Sequence, residues 1–292
     1  MSEKTVSVII VSYKSESVID ECLRSVLRHN DIGDRLEILL VEQSPEEDAF
    51  RSLTQRYPEV RVLRAENRGF GAGNNRGAEE AKGNILFFLN PDTVVQEPLF
   101  AFVEAQFAGE AELGLLGVKL VSPEGENISW NMRFPYGLTP KVKYMLHRRR
   151  DRFSAKEMYI EGAGLILRRE AFRAAGGFDE NIFMYGEELD LCLRVEKAGY
   201  VLRYRGEKRI VHLQGKCTED RYPAVYAKQL DSFLYVCHKH GIDGRRWLRR
   251  EARYQGFMAF AARITGNASR AKLSRELKRA AAERSGKRGE EA

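Results

Sequence analysis

A chain of 292 residues with 43% hydrophobic content is long enough for one large core, alone or with an appendage, and its aromatic and β-branched residues exclude global disorder. No run reaches the roughly 18 apolar residues of a membrane span. Four scattered cysteines, Cys22, Cys192, Cys217 and Cys237, form no C-x-x-C pair, which gives a zinc site no support and fits reduced thiols in a cytoplasmic protein. The net charge of +6 sits in the tail: residues 241–292 hold 14 Lys and Arg against 6 Asp and Glu, leaving −2 for residues 1–240 and arguing against a nucleic-acid-binding body.

The N-terminal MSEKTVSVIIVSYKSE lacks the basic leader and small-residue cleavage site of a secretory signal; VSVIIVS (6–12) predicts instead a strand buried on both faces. Val18, Ile19, Cys22, Leu23, Val26 and Leu27 fall at helical spacing across 16–29. Strand 37–43, helix 45–57 with Pro45 near its start, and strand 60–65 follow. Residues 66–75, ENRGFGAGNN, read as a glycine loop feeding a helix that ends near Gly83. Strand 84–90 and helix 97–108 complete the first half. This alternation predicts an α/β fold with a mainly parallel sheet and helices on both faces. Ligands on such sheets bind at the carboxyl ends of the strands, here Ser12-Tyr13, Glu42-Gln43-Ser44, the 66–75 loop and Asn90-Pro91-Asp92.

The second half is less regular. A strand at 114–122 precedes a long polar stretch, 123–156, with the basic run HRRRDR (147–152); a loop of that length is usually functional or mobile. YIEGAGLILRRE (159–170) is strand-like, 187–198 helical, and strands lie near 200–205 and 209–213. From Tyr222 onward the chain reads as helix. The pattern divides into a domain over 1–240 and a basic helical extension over 241–292.

Four groups of residues could carry chemistry, each with a plain structural alternative. Asp92, following an apolar strand, can hold a divalent metal on a diphosphate; Asn-Pro-Asp-Thr is also good turn chemistry. The glycine segment offers backbone amides with Asn67, Arg68, Asn74, Asn75 and Arg76, which suit a phosphate or nucleoside, or it is a tight connection into a helix with an Asn cap. Glu187, Glu188 and Asp190 crowd the first turn of a helix, where the dipole favours their charge and mutual repulsion opposes it; an acidic helix start does the same. His212 is a metal ligand or a core histidine.

In order, VSVIIVSYK, the strand end VEQS, NRGFGAGNNRGAEEAKGNILFFLNPD, GAGLILRREAFRAAGGFDENIFMYGEELDLCLRVEKAGY and VHLQG resemble the family 2 glycosyltransferases, enzymes of the GT-A fold that use nucleotide-diphosphate sugars. The likeness is nearest to the bacterial rhamnosyltransferase-like branch and runs from about Val6 to about Gly215. It implies that Ser12, Tyr13, Glu42, Asn67, Arg68, Gly69, Asn74, Asn75 and Asn90 line the nucleotide, with Glu42 reading the base. Asp92 and His212 would hold a divalent metal, Mg2+ or Mn2+. Glu188, beside Glu187, matches the catalytic base, and Gly162, Ala163, Gly164 and Asp190 the sugar and acceptor pocket.

The resemblance further implies an inverting, metal-dependent transfer of a sugar, with rhamnose from dTDP-rhamnose as the specific expectation. The acceptor would be a hydroxyl of a glycan or polyprenyl-linked glycan in surface-polysaccharide synthesis. Three positions depart from the common pattern: Glu42-Gln43 stands where Asp-Asn is usual, Asn90 brings no charge, and Glu188 replaces aspartate. These departures keep open a non-catalytic nucleotide-sugar-binding scaffold of the same fold. In the tail, Trp247, Leu248, Tyr254, Phe257, Met258, Phe260 and Ile264 interleave with arginines. That pattern fits peripheral attachment at the inner face of the plasma membrane, and equally a solvated helix packed on the catalytic domain.

Overall fold

Every residue of VSVIIVS is buried in β1 (Val6–Ser12), as a strand covered on both faces requires. The computed structural model describes residues 4–213 and 222–286; Gln214 and Gly215 of the VHLQG motif and Cys217 lie outside them. After β1 come α1 (Ile19–Arg28), β2 (Leu36–Glu42), α2 (Glu47–Arg56), β3 (Arg61–Arg64), α3 (Phe70–Glu80), β4 (Ile85–Leu89), β5 (Thr93–Val95), α4 (Phe100–Gly109) and β6 (Leu113–Val121). Then follow β7 (Trp130–Met132), α5 (Leu138–Arg149), β8 (Met158–Ile160), β9 (Gly164–Arg168), α6 (Arg169–Ala174), α7 (Glu187–Lys197), β10 (Val201–His212), α8 (Tyr222–Lys239), α9 (Gly244–Ile264) and α10 (Ala268–Gly286).

Eight strands form one sheet in the order β3-β2-β1-β4-β9-β6-β10-β5. The β1, β2, β3 and β4 neighbours pair parallel, as do β6 and β10, while β9 runs antiparallel to β4 and β6, and β5 antiparallel to β10. Side chains alternate across β1. Val6, Val8 and Ile10 face a core shared with Cys22, Leu23 and Val26 of α1 and Phe100, Val103 and Phe107 of α4. Ile9 faces the opposite core, shared with Ala78 of α3, Phe172 of α6 and Leu191, Cys192 and Val195 of α7. This is the expected mostly parallel α/β sheet with helices on both faces.

Two compact units divide the chain: 1–131, 153–183 and 187–219 make the first, and 132–152, 184–186 and 220–292 the second. The first holds the sheet. The second has its own core of Tyr136, Tyr226, Leu230, Phe233, Leu248, Leu277 and Ala281, with Phe134 stacked on Trp247 at 5.1 Å.

Four expectations about elements need correction. The glycine segment 66–75 is loop only as far as Gly69; Gly71, Gly73 and Gly77 belong to α3. Gly73 and Gly77 are glycines because α3 lies directly on β1, and Gly71 packs against Phe178. A Cβ at Gly77 would sit 2.4 Å from Ile9 Cγ2, and one at Gly73 2.8 Å from Val11 Cγ1. The polar stretch 123–156 contains β7 and α5, a helix with no buried residue, so no continuous apolar run announced it. Thr93–Val95 is a strand as well as the tail of a turn. The two strands expected near 200–205 and 209–213 are one, β10, whose pairing with β6 jumps from Arg205 opposite Val118 to Arg209 opposite Lys119. The three extra residues form a bulge. Glu97 holds the far side of that bulge, accepting from the Arg209 amide at 3.1 Å and from Lys208 Nζ at 3.3 Å.

Candidate active site

Antiparallel pairing of β4 with β9 ends at Leu89 opposite Gly164. The chain leaving β4 therefore meets the chain entering β9, and the Asn90 amide donates to the Ala163 carbonyl at 3.1 Å. Asn90-Pro91-Asp92 does form a turn: the Thr93 amide and hydroxyl both donate to the Asn90 carbonyl, at 3.3 and 2.7 Å. The turn reading and the ligand reading of Asp92 are compatible, because the turn presents the carboxylate. β5 then pairs with β10, putting Thr93 opposite His212. His212 Nε2 lies 3.2 Å from Asp92 Oδ1, and the Leu213 amide donates to the Asp92 carbonyl at 2.8 Å. Residues 120 positions apart in sequence thus share one end of the sheet.

Two buried polar atoms here have no hydrogen-bond partner among the described residues, His212 Nδ1 and Asn90 Oδ1. Such atoms are costly unless something else satisfies them. Among the described residues no group of three or more His, Cys, Asp or Glu side chains is arranged to hold a metal ion by itself. Asp92 and His212 nevertheless fit a divalent cation of the kind that takes one or two protein ligands and fills its other positions with phosphate oxygens and water.

Glu187 and Glu188 open α7, both buried. Gly162 lies against Glu188: a Cβ there would be 3.7 Å from Glu188 Cβ. A third carboxyl joins them from the chain entering β9. Burial first, and the Glu188 charge second, push Glu161 up to about 8. Burial, then Glu188, then Glu161 raise Glu187 well above the usual carboxylate range, against a lowering hydrogen bond from its own backbone. Glu187 Oε2 is buried without a hydrogen-bond partner among the described residues. Three carboxyls in one place cannot all be ionised cheaply, and both shifts favour the protonated forms of Glu161 and Glu187. Glu161 is the site residue that sequence reasoning missed. Its signal was a lone acid before Gly-Ala-Gly at the mouth of a buried strand.

Asp190 sits one helical turn on and is spent on structure. It is fully buried, and Arg194 Nη2 and Nε reach its Oδ2 at 2.6 and 2.8 Å. The same guanidinium donates to the carbonyls of Gly177, at 2.5 Å, and Ala175.

At the ends of β1 and β2, the Gln43 amide donates to the Ser12 carbonyl at 2.8 Å and the Lys14 amide to Ser44 Oγ at 2.8 Å. Tyr13 is exposed. Buried Glu42 accepts from the Ser44 amide at 2.7 Å. A narrow cleft there is lined by Ser12, Glu16, Ile19, Glu42, Leu53 and Arg56.

Before α3, Asn67 Oδ1 accepts from the Gly69 amide at 3.2 Å. Gly69 has φ +104°, and a Cβ there would fall 2.5 Å from the Phe183 carbonyl oxygen, so only glycine fits. Arg68 is exposed and 3.2 Å from Glu180. Asn75 exchanges hydrogen bonds with the Phe178 backbone, donating at 2.9 Å and accepting at 2.8 Å. Asn74 donates to the Phe70 carbonyl at 3.0 Å and leaves a buried Oδ1 with no partner among the described residues.

The model of the family described as "Glycosyl transferase family 2" matches residues 7–176. Rhamnosyltransferase WbbL of Escherichia coli (strain K12) is 23% identical over 262 residues, covering 84% of this chain and 97% of its own length. An N-acetylglucosaminyl-diphospho-decaprenol L-rhamnosyltransferase of Mycobacterium tuberculosis (strain CDC 1551 / Oshkosh) is 26% identical over 235 residues, covering 70% of this chain and 76% of its own. The O-antigen biosynthesis protein RfbC of Myxococcus xanthus is 26% identical over 215 residues, 70% of this chain, which spans only 17% of that protein. Among solved structures, the mannosyltransferase PcManGT from Pyrobaculum calidifontis, in complex with GDP-Man and Mn2+, superposes with a TM-score of 0.63 at 16% identity, covering 98% of this chain and 88% of that one. At that identity the likeness establishes the GT-A fold and nothing finer.

Proposed function

The chain belongs to glycosyl transferase family 2, and from that premise we propose that it transfers L-rhamnose from dTDP-rhamnose, with inversion, to a hydroxyl of a polyprenyl-diphosphate-linked glycan in surface-polysaccharide assembly. The observation that carries the reading is that the chain leaving β4 toward the Asp92–His212 pair is hydrogen-bonded, Asn90 to Ala163, to the chain that carries Glu161 into β9 beside Glu187 and Glu188. The names of two relatives, both rhamnosyltransferases and one acting on a diphospho-decaprenol acceptor, support the sugar and the acceptor class.

In this reading the acceptor hydroxyl oxygen attacks the anomeric carbon while the bond to the nucleotide diphosphate breaks, and the electron pair leaves with the diphosphate. Glu188 takes the hydroxyl proton as general base. Burial favours the protonated forms of Glu161 and Glu187, and Glu188 lies next to Gly162, where the backbone gives room. Asp92 and His212 would hold a divalent cation, which supplies charge neutralisation for the leaving diphosphate. Arg68, exposed at the start of α3, can turn from Glu180 to the same phosphates. Attack on the face opposite the leaving group gives inversion through an oxocarbenium-like transition state. Glu42 and the cleft beside it receive the base.

The test is a thermal-shift titration with dTDP, UDP and GDP, with and without Mn2+ or Mg2+. A ligand of the native state raises its melting temperature. The expected result is a metal-dependent shift strongest for dTDP, lost in Asp92→Asn and His212→Ala. A preference for UDP or GDP overturns the rhamnosyl assignment. The absence of a shift with any diphosphate, in folded protein, overturns the transferase reading.

A further inference from the structure

Beside its apolar core, the second unit buries a carboxylate and leaves apolar side chains exposed on the same helix. Glu251 of α9 is 1% exposed, while Phe257, Phe260 and Ile264 on the same helix are 62, 63 and 70% exposed. The buried carboxylate is saturated: it accepts from the Gly137 amide at 2.8 Å, Lys141 Nζ at 2.6 Å, Tyr226 Oη at 3.1 Å and Gln255 Nε2 at 2.8 Å. These bonds hold α5 by its first turn. Beyond them α5 buries none of its side chains, and Leu138, Val142, Met145 and Leu146 are all exposed, the i, i+4, i+7, i+8 spacing of one helical stripe. Lys141 also lies 4.1 Å from the centre of the Tyr254 ring. The α5 stripe and the outward residues of α9 thus begin within a turn of the same contact.

Basic residues frame both stripes. Residues 138–152 carry Lys141, Lys143, Arg148, Arg149, Arg150 and Arg152 against Asp151, and α9 carries six arginines against Glu251 alone, which Lys141 neutralises. Polar groups turned inward and apolar ones outward, ringed by arginine, make a poor water-facing surface and a good interfacial one. We propose that α5 and the Phe257–Phe260–Ile264 face of α9 form a docking surface for an anionic phospholipid bilayer, with the apolar side chains entering the headgroup layer and the arginines meeting lipid phosphates. α10 takes no part: it turns Ala271, Ser274, Leu277 and Ala281 inward. Nor do Trp247 and Leu248, which are packed within the unit. The basic tail expected from composition is therefore replaced by two specific helices, one of them outside the tail.

This inference deepens the reading of a lipid-linked acceptor. Vesicle binding, however, needs neither donor nor acceptor, so the two can fail separately. The experiment is sedimentation of the full chain with vesicles of phosphatidylcholine alone and of phosphatidylcholine with phosphatidylglycerol. Binding is expected only to the anionic vesicles, weakened by salt. It should weaken about tenfold in Met145→Gln/Leu146→Gln and again in Phe257→Ser/Phe260→Ser, with melting temperatures unchanged because all four side chains are exposed. Wild type that ignores anionic vesicles, or variants that bind as wild type does, would overturn the proposal. So would a concentration-dependent dimer abolished by the same substitutions without vesicle binding, which would show a second copy covering the stripes.

Discussion

Replacing Glu161 by glutamine removes one proton-binding group from a crowded site and leaves its shape. In the folded chain that carboxyl titrates at about 8 against an ordinary 4.5. Between those values the folded state keeps a proton that the unfolded state has released, so stability falls as pH rises. The stabilising contribution is whole below about pH 4.5 and lost by about pH 8, with a slope of about 1.4 kcal/mol per pH unit. Summed over the window it amounts to roughly 3–5 kcal/mol, the lower figure allowing for water that reaches a half-buried side chain. Glutamine cannot titrate. Urea unfolding of both proteins, followed by circular dichroism from about pH 5.5 to about pH 7.5, should show Glu161→Gln gaining about 1.4 kcal/mol on wild type with each pH unit. The difference between the two curves cancels the titrating groups remote from Glu161 and leaves those coupled to it, Glu187 and Glu188. Parallel curves, or wild type gaining on the variant, would refute the raised carboxyl and with it the proton arrangement around Glu188.

Glu188→Gln should reduce transfer by about 100- to 10,000-fold while leaving the thermal shift with nucleotide diphosphate in place; full activity in folded protein would remove Glu188 as base. Gly77→Ala should destabilise by about 1–3 kcal/mol in urea unfolding, because its Cβ meets Ile9 at 2.4 Å, and a neutral result would show that α3 can lift off β1. Arg194→Met leaves Asp190 buried without its cation and should cost about 3–5 kcal/mol; a loss below about 1 kcal/mol would mean that water reaches the carboxylate.

The strands β1, β2 and β4 were legible because each is a short apolar run buried almost throughout, and burial leaves a direct mark on composition. The glycines were legible as special but not in their cause. Of Gly69, Gly71, Gly73 and Gly77, only Gly69 has the positive φ, at +104°, that a loop reading supposes; the other three mark close packing, and sequence spacing alone does not separate the two. Helix α5 escaped notice because its apolar residues are thinned by lysines and arginines and bury nothing. The Asp92–His212 pair could be reached only through resemblance, since nothing local at either residue encodes an antiparallel pairing across 120 positions. Glu161 was passed over because a single acid carries no pattern; its meaning comes from the two glutamates that another element sets beside it.

The bulge in β10 has a mechanical consequence for that pair. Upstream, Val201–Arg205 is locked to β6. Downstream, Arg209–His212 is positioned by Glu97, by the last residues of β6 and by β5. Residues 206–208 have no partner in β6, and Lys208 and Arg209 are tied to Glu97. A residue added or removed at 206–207 should pass unnoticed at His212, because the far segment is clamped on its own. One residue inserted between Val211 and His212 has no unpaired length to absorb it. It would turn the imidazole to the opposite face of the sheet, separating it from Asp92 with both residues intact and the core undisturbed. The separation of His212 from Asp92 can therefore be altered by strand length alone, with neither residue changed.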